Sequence, residues 1–330
     1  MEKFRIKIAL CIFLSCPLLL CCLPPTLENS SLVTVYFFDV GQGDAIFVDT
    51  GGLDMLIDGG PRSEGSRLVG YLNELHVLKL DIIVATHPHE DHIGGLINVL
   101  SSSITIDTVL HNGQIVTTKV YSDFIKIAQD KLKLVERGQI YVLDTNVNFT
   151  VLNPTQPLEF SDVNSNSIVL RLQAGNVAFL FTGDATLETE NSIMALSSYI
   201  QSQVLKVAHH GSRYSTSDRF LDAVKPTYAV ISAGKSNPYG HPHQETLQRL
   251  MNHGIIIYET YTHGTIVMRT DGQIIKVDIG EAWRSPSFDF YNIPSGETFI
   301  FGSGVYVDNS IFSLYLQTFQ KKISQEEILN

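Results

Sequence analysis

The sequence predicts an α+β fold in which two β-sheets pack face to face with helices on their outer surfaces. Three observations lead there. The composition, 44% hydrophobic and 17% charged over 330 residues, is that of a globular chain long enough for one large domain or two small ones. Apolar, β-rich runs and amphipathic segments recur in two similar halves. Facing sheets with helices outside would bury all of these apolar surfaces.

The elements follow in order. "SLVTVYFFDVGQGDAIFVDT" holds two strands around Gly41-Gln42-Gly43-Asp44, and "LDMLIDGG" holds a third, ending in Asp58-Gly59-Gly60. "SRLVGYLNELHV" has helical spacing, with Leu68, Tyr71, Leu72 and Leu75 on one face. "LDIIVATH" reads as a buried strand, "DHIGGLINVLSS" as a helix, "IDTVLHNG" as a strand and "SDFIKIAQDKL" as a helix. From "LKLVERGQIYVLDTNVNFTVLNP" the pattern changes to strands and hairpins. "NSIVLRLQAGNVAFLFTGDA" is a hairpin turning at Gly175-Asn176. A helix in "TLETENSIMALSSYI", strands in "QVLKVAHHG" and "PTYAVISAG", and a helix in "HQETLQRLMNHG" come next. "IIIYETYTHGTIVMRTDGQIIKVDI" closes the fold with strands.

The two ends differ from this middle. Lys3, Arg5 and Lys7 precede the apolar run "IALCIFLSCPLLLCCL". A basic start and a short apolar stretch read as an export signal or N-terminal anchor over residues 1–29. At about 16 residues, broken by Pro17, the run falls short of the roughly 20 that a membrane span needs. All four cysteines, Cys11, Cys16, Cys21 and Cys22, lie in it. A disulfide framework, a thiolate metal site and a cysteine nucleophile are thereby excluded from the folded region. "LLLCC" makes Cys21 or Cys22 a candidate for lipid attachment, against which stands Leu20, larger than the residue expected before such a cysteine. The expected location is outside the cytoplasm, with membrane association through this segment. Residues 281–330 read as a turn-rich extension with a terminal amphipathic helix in "SLYLQTFQKKISQEEILN". The folded domain is expected over 30–280.

Net charge is −11. Losing Glu2, Lys3, Arg5 and Lys7 with a leader removes three positive charges and one negative, leaving −13. A general nucleic-acid coat would be basic, so any nucleic acid must be held locally.

The chemistry concentrates in "THPHEDHIGG", residues 86–95. His87, His89, Asp91 and His92 fall within six positions where a strand opens into a turn. Imidazole nitrogen and carboxylate oxygen are good ligands for zinc and related ions. In extended chain His87 and His89 point the same way, and Asp91 and His92 lie one turn further on. One loop therefore offers two ligands to one ion and two to a neighbour. Gly94 and Gly95 let the following helix start close to the sheet.

His-x-His-x-Asp-His after an apolar strand resembles the metallo-β-lactamase superfamily. "FFDVGQGDAIFV", "LIDGG", "THPHEDHIGG", "NSIVLRL", "FLFTGDA", "LKVAHHGS" and "NPYGHPH" stand in the order seen in the extracellular hydrolase domain of ComEC-type DNA-uptake proteins, over about residues 32–278. The resemblance implies an αββα four-layer sandwich with one or two divalent ions, zinc first and manganese as the alternative. It assigns His87 and His89 to the first ion, Asp91 and His92 to the second, and Asp184 as the bridging carboxylate. One of His209 and His210 completes the second set; His209 is favoured because it directly ends its strand. The superfamily's third histidine for the first ion has no counterpart in "FSDVNSNSIVL", where Asp162, Asn164 or Asn166 would have to substitute. His111 stands too early in the order. Asp91, Asp184 and His241 are expected at the reacting centre, His241 as a leaving-group acid or phosphate contact. Asn237, Ser212 and Ser215 are candidate phosphate donors. Asp44 and Asp58 are expected to orient metal-bound histidines. His76, His243, His253 and His263 read as surface or structural residues.

Two dications balanced by Asp91, Asp184 and one hydroxide leave a charge of about +1, which attracts an anionic diester. The leading expectation is an exported phosphodiesterase or nuclease using a metal-bound hydroxide. The alternatives are hydrolysis of another ester or amide, such as a cell-wall phosphorylcholine ester or a lactone, and a non-catalytic module of a DNA-uptake apparatus. No protein partner follows from the sequence.

Overall fold

The computed structural model describes residues 33–196, 200–280, 299–301 and 305–307. The first half runs β1 (Val33–Phe37), β2 (Ile46–Asp49), β3 (Met55–Ile57), α1 (Gly65–Glu74), β4 (Lys79–Ala85), α2 (Glu90–Ile93), α3 (Leu96–Leu100), β5 (Thr105–His111), α4 (Lys119–Ala128) and β6 (Leu132–Leu134). The second runs β7 (Ile140–Asp144), β8 (Val147–Asn153), β9 (Val169–Ala174), β10 (Val177–Phe181), α5 (Leu187–Leu196), β11 (Val204–Lys206), α6 (Asp218–Val224), β12 (Tyr228–Ile231), α7 (Gln244–Asn252), β13 (Ile256–Glu259), α8 (Thr260–His263), β14 (Ile266–Thr270) and β15 (Ile275–Ile279).

Eight strands form one sheet, in the order β15-β14-β1-β2-β3-β4-β5-β6, and seven form the other, β13-β12-β11-β10-β9-β8-β7. Alternation along β1 shows how they stack. Val33, Val35 and Phe37 face Phe149, Phe179 and Phe181 of the second sheet in one core. Tyr36 and Phe38 point the other way, into a second core with Leu68 and Leu72 of α1 and Phe124 of α4. A third core packs Phe220 of α6 and Leu250 of α7 on Leu205 and Ile231. Three apolar layers separate four structural ones, the expected αββα sandwich. Because the middle strands are covered on both faces, β1, β10 and β12 are buried throughout.

One local expectation is refined and another corrected. The closing strands are split between sheets: β13 pairs with β12, whereas β14 crosses over and pairs antiparallel with β1, from Val33↔Thr270 to Phe37↔Ile266. β1 otherwise lacks a partner opposite β2, and β14 satisfies that row of backbone groups. The helix expected in "DHIGGLINVLSS" is two short ones, α2 and α3, parted at Gly94-Gly95. There the chain lies against other backbone: a Cβ on Gly95 would stand 1.9 Å from the Gly59 carbonyl oxygen, and one on Gly94 2.4 Å from the Arg62 nitrogen. The expectations for residues 1–29 and for the terminal helix lie outside the described residues. Within the turn-rich extension, β16 (Phe299–Phe301) and β17 (Val305–Val307) form an antiparallel ladder. Among the described residues no helix is long and apolar enough to cross a membrane.

A pocket of about 420 Å³ opens at the entry end of β4, lined by Asp49, Asp54, Lys79 and Asp81 among others. Burial, then Asp49 and Asp81, raises Asp54 to about 7. Between about pH 4 and 7 the folded chain therefore holds a proton that the unfolded chain has released, so stability falls as pH rises through this window. Asp54→Asn is expected to melt above the parent at pH 8 and level with it at pH 4. Equal melting at both values would show that burial and the neighbouring carboxylates do not hold the proton on Asp54.

Candidate metal centre

The centre lies at the opposite end of β4, where parallel strands of both sheets end. Asp58 follows β3, His87 and His89 follow β4, Asp184 follows β10, His209 and His210 follow β11, and Ser232 follows β12. Three buried imidazoles have their outer nitrogen already engaged. His92 Nδ1 donates to Asp58 Oδ2 at 2.7 Å. The Thr86 hydroxyl donates to the same oxygen at 2.7 Å, and its N–H to Asp58 Oδ1 at 2.8 Å. With its proton committed, Thr86 Oγ1 accepts from His87 Nδ1 at 3.1 Å. His210 Nδ1 donates to the Ser232 carbonyl at 2.9 Å. These partners leave Nε2 of His87, His92 and His210 aimed inward, the tautomer and orientation that metal-binding histidines need.

They converge on Asp184, which divides them between its oxygens. Oδ1 lies 3.2 Å from His92 Nε2 and 3.5 Å from His210 Nε2. Oδ2 lies 3.6 Å from His87 Nε2 and 3.7 Å from His209 Nε2. His89 Nδ1 is 3.0 Å from His87 Nε2, and Asp91 Oδ2 is 3.3 Å from His210 Nε2. Two groups have donor atoms close enough for one ion each: His87, His89 and Asp184; and Asp44, His92, Asp184 and His210. His92 Nε2, His210 Nε2, Asp184 Oδ1 and Asp44 Oδ1 are buried without a hydrogen-bond partner. Orphaned buried polar atoms are costly, and a shared cation satisfies the set. The cluster is thus compatible with divalent metal.

Burial opposes ionisation of Asp184 and Asp91, but the neighbouring histidines, His92 and His210, outweigh it and hold both well below the usual carboxylate range. Burial likewise opposes charge on His210, yet Asp184, Asp44 and Asp91 push it up to about 10. In the metal-free chain protons therefore stand where a cation would, and metal binding must displace them.

The sequence expectation favouring His209 for the second set is corrected by this geometry. β11 ends at Lys206, so neither histidine terminates it. His209 and His210 both adopt left-handed backbone, φ 51 and 56, a conformation costing of order 1–3 kcal/mol per residue. The kink sends the two rings to different oxygens of Asp184. His210, fully buried, joins His92 and Asp91, while His209, partly exposed, faces the His87 side.

Asp162, one of the three substitutes for the first set, lies in neither group. Asn166 donates to Gln114, Phe160 and Asp162, and Asp162 accepts from Ser165. Asn164 Oδ1 is buried without a partner. His111 Nδ1 accepts from Gly113 N. Two candidate phosphate donors are committed elsewhere: Ser215 donates to Ala208 and Ser212 carbonyls, and Asn237 braces its loop through Gly234, Tyr239 and His241. Ser212 Oγ accepts weakly from Tyr214 N at 3.4 Å. His241 sits edge-on beside the centre, its ring centroid 5.4 Å from that of His209. Its Nδ1 has no partner, and burial, then His210, His209 and His243, lowers it to about 4. It is neutral at pH 7, which suits a hydrogen-bonding contact better than an acid. Asp58 orients His92 as expected; Asp44 sits 3.4 Å from His210 Nδ1 and 4.0 Å from His92 Nδ1. Sequence reasoning passed over Thr86, Ser232 and Lys206. Only Lys206, a charge inside an otherwise apolar strand, carried any signal.

A family model described as the metallo-β-lactamase superfamily matches residues 38–235. The chain is 32% identical over 266 residues to ComE operon protein 3 of Bacillus subtilis (strain 168), across 74% of this chain and 34% of that protein. It is 34% identical over 241 residues to competence protein ComA of Neisseria gonorrhoeae, across 72% and 32%. The chain thus spans about a third of the length of these relatives. Among solved structures, the metallo-β-lactamase fold protein YhfI from Bacillus subtilis aligns with a TM-score of 0.48 at 13% identity, covering 72% of this chain and all of that one.

Proposed function

The chain belongs to the metallo-β-lactamase superfamily, and from that premise we propose that it is an exported, metal-dependent phosphodiesterase acting on nucleic-acid ends or small diesters. The observation that carries the proposal is the division of labour at Asp184, whose two oxygens each serve a separate histidine pair. His87, His89 and Asp184 would hold one ion, with His209 on the same side. Asp91, His92, Asp184 and His210 would hold the other. When bound, such ions supply a nucleophile at neutral pH and neutralise charge on phosphoryl oxygens. Histidine donors suit zinc, and the carboxylates around the second position also admit manganese.

The chain's own groups do the rest. Asp58, Thr86 and Ser232 hold the imidazoles in one tautomer. Neutral His241 offers a hydrogen bond to a diester beside His209. The net charge of −11 disfavours extended duplex binding, whose affinity rests on cationic contacts to phosphate. The kinship with competence proteins favours nucleic acid within the diester class.

The test is metal content and turnover together: bis(p-nitrophenyl) phosphate and single-stranded DNA, with zinc and manganese supplied separately. Bound metal with diester cleavage supports the proposal. Bound metal without it points to a different ester or amide, and absence of both points to a binding module. His210→Ala is expected to weaken the second ion by more than the roughly 10–100-fold that losing an outer partner costs, leaving the first in place. His209→Ala is expected to weaken only the first. Chelator-competition titrations distinguish these outcomes.

A further inference from the structure

Lys206 is the fully buried lysine among the described residues, 1% exposed at the end of β11. Lysine is almost never so placed unless paired. Its Nζ lies 2.7 Å from Asp44 Oδ2 and donates to the Val207 carbonyl at 3.0 Å. The pair joins the two sheets beside His92 and His210, whose Nδ1 atoms lie 4.0 and 3.4 Å from Asp44. Asp44 arrives on the β1–β2 loop, whose backbone is clamped to the α2 turn: Asp44 N donates to the Asp91 carbonyl at 3.2 Å, and a Cβ on Gly43 would stand 2.2 Å from that oxygen. The main chain is therefore fixed, but the carboxylate has two competing destinations. One oxygen is taken by Lys206. The other, Oδ1, has no hydrogen-bond partner and lies 3.4 Å from His210 Nδ1, and Asp44 offers one oxygen within ligand range of His92, Asp184 and His210.

We propose that Lys206 is a positioning residue that tethers Asp44 outside the ligand set of the second ion, leaving that set to Asp91, His92, Asp184 and His210. The inference rests on the two-ion reading above. An ammonium at 2.7 Å in a dry interior competes strongly for the carboxylate, and it also repels an incoming dication. Without it, an unpaired buried Asp44 would turn toward the nearest positive charge, the second ion. Ligand count there would rise and the geometry would harden.

The test uses the full chain in three forms: parent, Lys206→Met and the double variant Lys206→Met/Asp44→Asn. Cobalt binding is followed by chelator competition and by visible absorption, which reports the number of ligands. Lys206→Met is expected to bind the second ion about tenfold more tightly or better, with a spectrum shifted toward higher coordination and lower diester turnover. The double variant, which removes both charges and leaves neither unpaired, is expected to return affinity and spectrum to parental values. Weaker or unchanged second-ion binding in Lys206→Met overturns the tether. So does a double variant that loses the second ion, because Asp44 would then already be a ligand; this form remains informative if the single variant does not fold. A parent that binds fewer than two ions defeats the two-ion reading instead.

Discussion

Asp184→Asn is expected to lower diester turnover by roughly a hundredfold or more, since the metal contribution is worth several kcal/mol and each ~1.4 kcal/mol is a factor of ten. Asp184 is 2% exposed, and both its oxygens face histidine donors. An amide has nearly the same shape but only one oxygen. Its NH₂ would aim two donors at one histidine pair, and the charge that balances the cations would be gone. The backbone is held independently, through Asp184 N donating to Ser167 Oγ at 3.2 Å, so the fold is expected to persist. Metal content should drop below two per chain while circular dichroism stays parental. Turnover within a few-fold of the parent would sink the shared-carboxylate reading.

Gly95→Ala is expected to destabilise the metal-free chain by about 3 kcal/mol, the upper part of the range for overpacking, or roughly 6–12 °C in melting temperature for a domain of this size. The added methyl would meet the Gly59 carbonyl at 1.9 Å, and backbone cannot turn aside as a flexible side chain can. Relief requires α2 and α3 to move off the β3–α1 loop. That loop carries Asp58, and Gly59 N donates to the His92 carbonyl at 2.7 Å. Separation would therefore loosen the Asp58–His92 bond, and metal affinity should fall alongside stability. A melting temperature within a degree of the parent would mean the loop yields freely and that this close approach is incidental.

Much of the site was legible because its determinants are local. His87, His89, Asp91 and His92 share one turn, and the distance between them is set by a few backbone bonds. Strand and helix periodicity reports burial residue by residue, which is why the facing-sheet architecture could be read before any contact was known. His209 and His210 were not separable in this way. They are adjacent and chemically identical, and their destinations depend on two consecutive left-handed residues after β11. Asn237 and Ser215 looked available for phosphate because a sequence does not reveal which backbone carbonyls lie nearby.

Apolar periodicity alone called for facing sheets clad in helices, the closely spaced His and Asp residues set the chemical type of the donors, and the order of the motifs carried the resemblance to the family. Long-range packing settles which histidine meets which oxygen of Asp184, that β14 crosses back to β1, and that Lys206 reaches Asp44 across the two sheets. Those outcomes depend on residues far apart in the chain, brought within a few ångströms by packing two apolar sheet faces together. No local pattern encodes that distance.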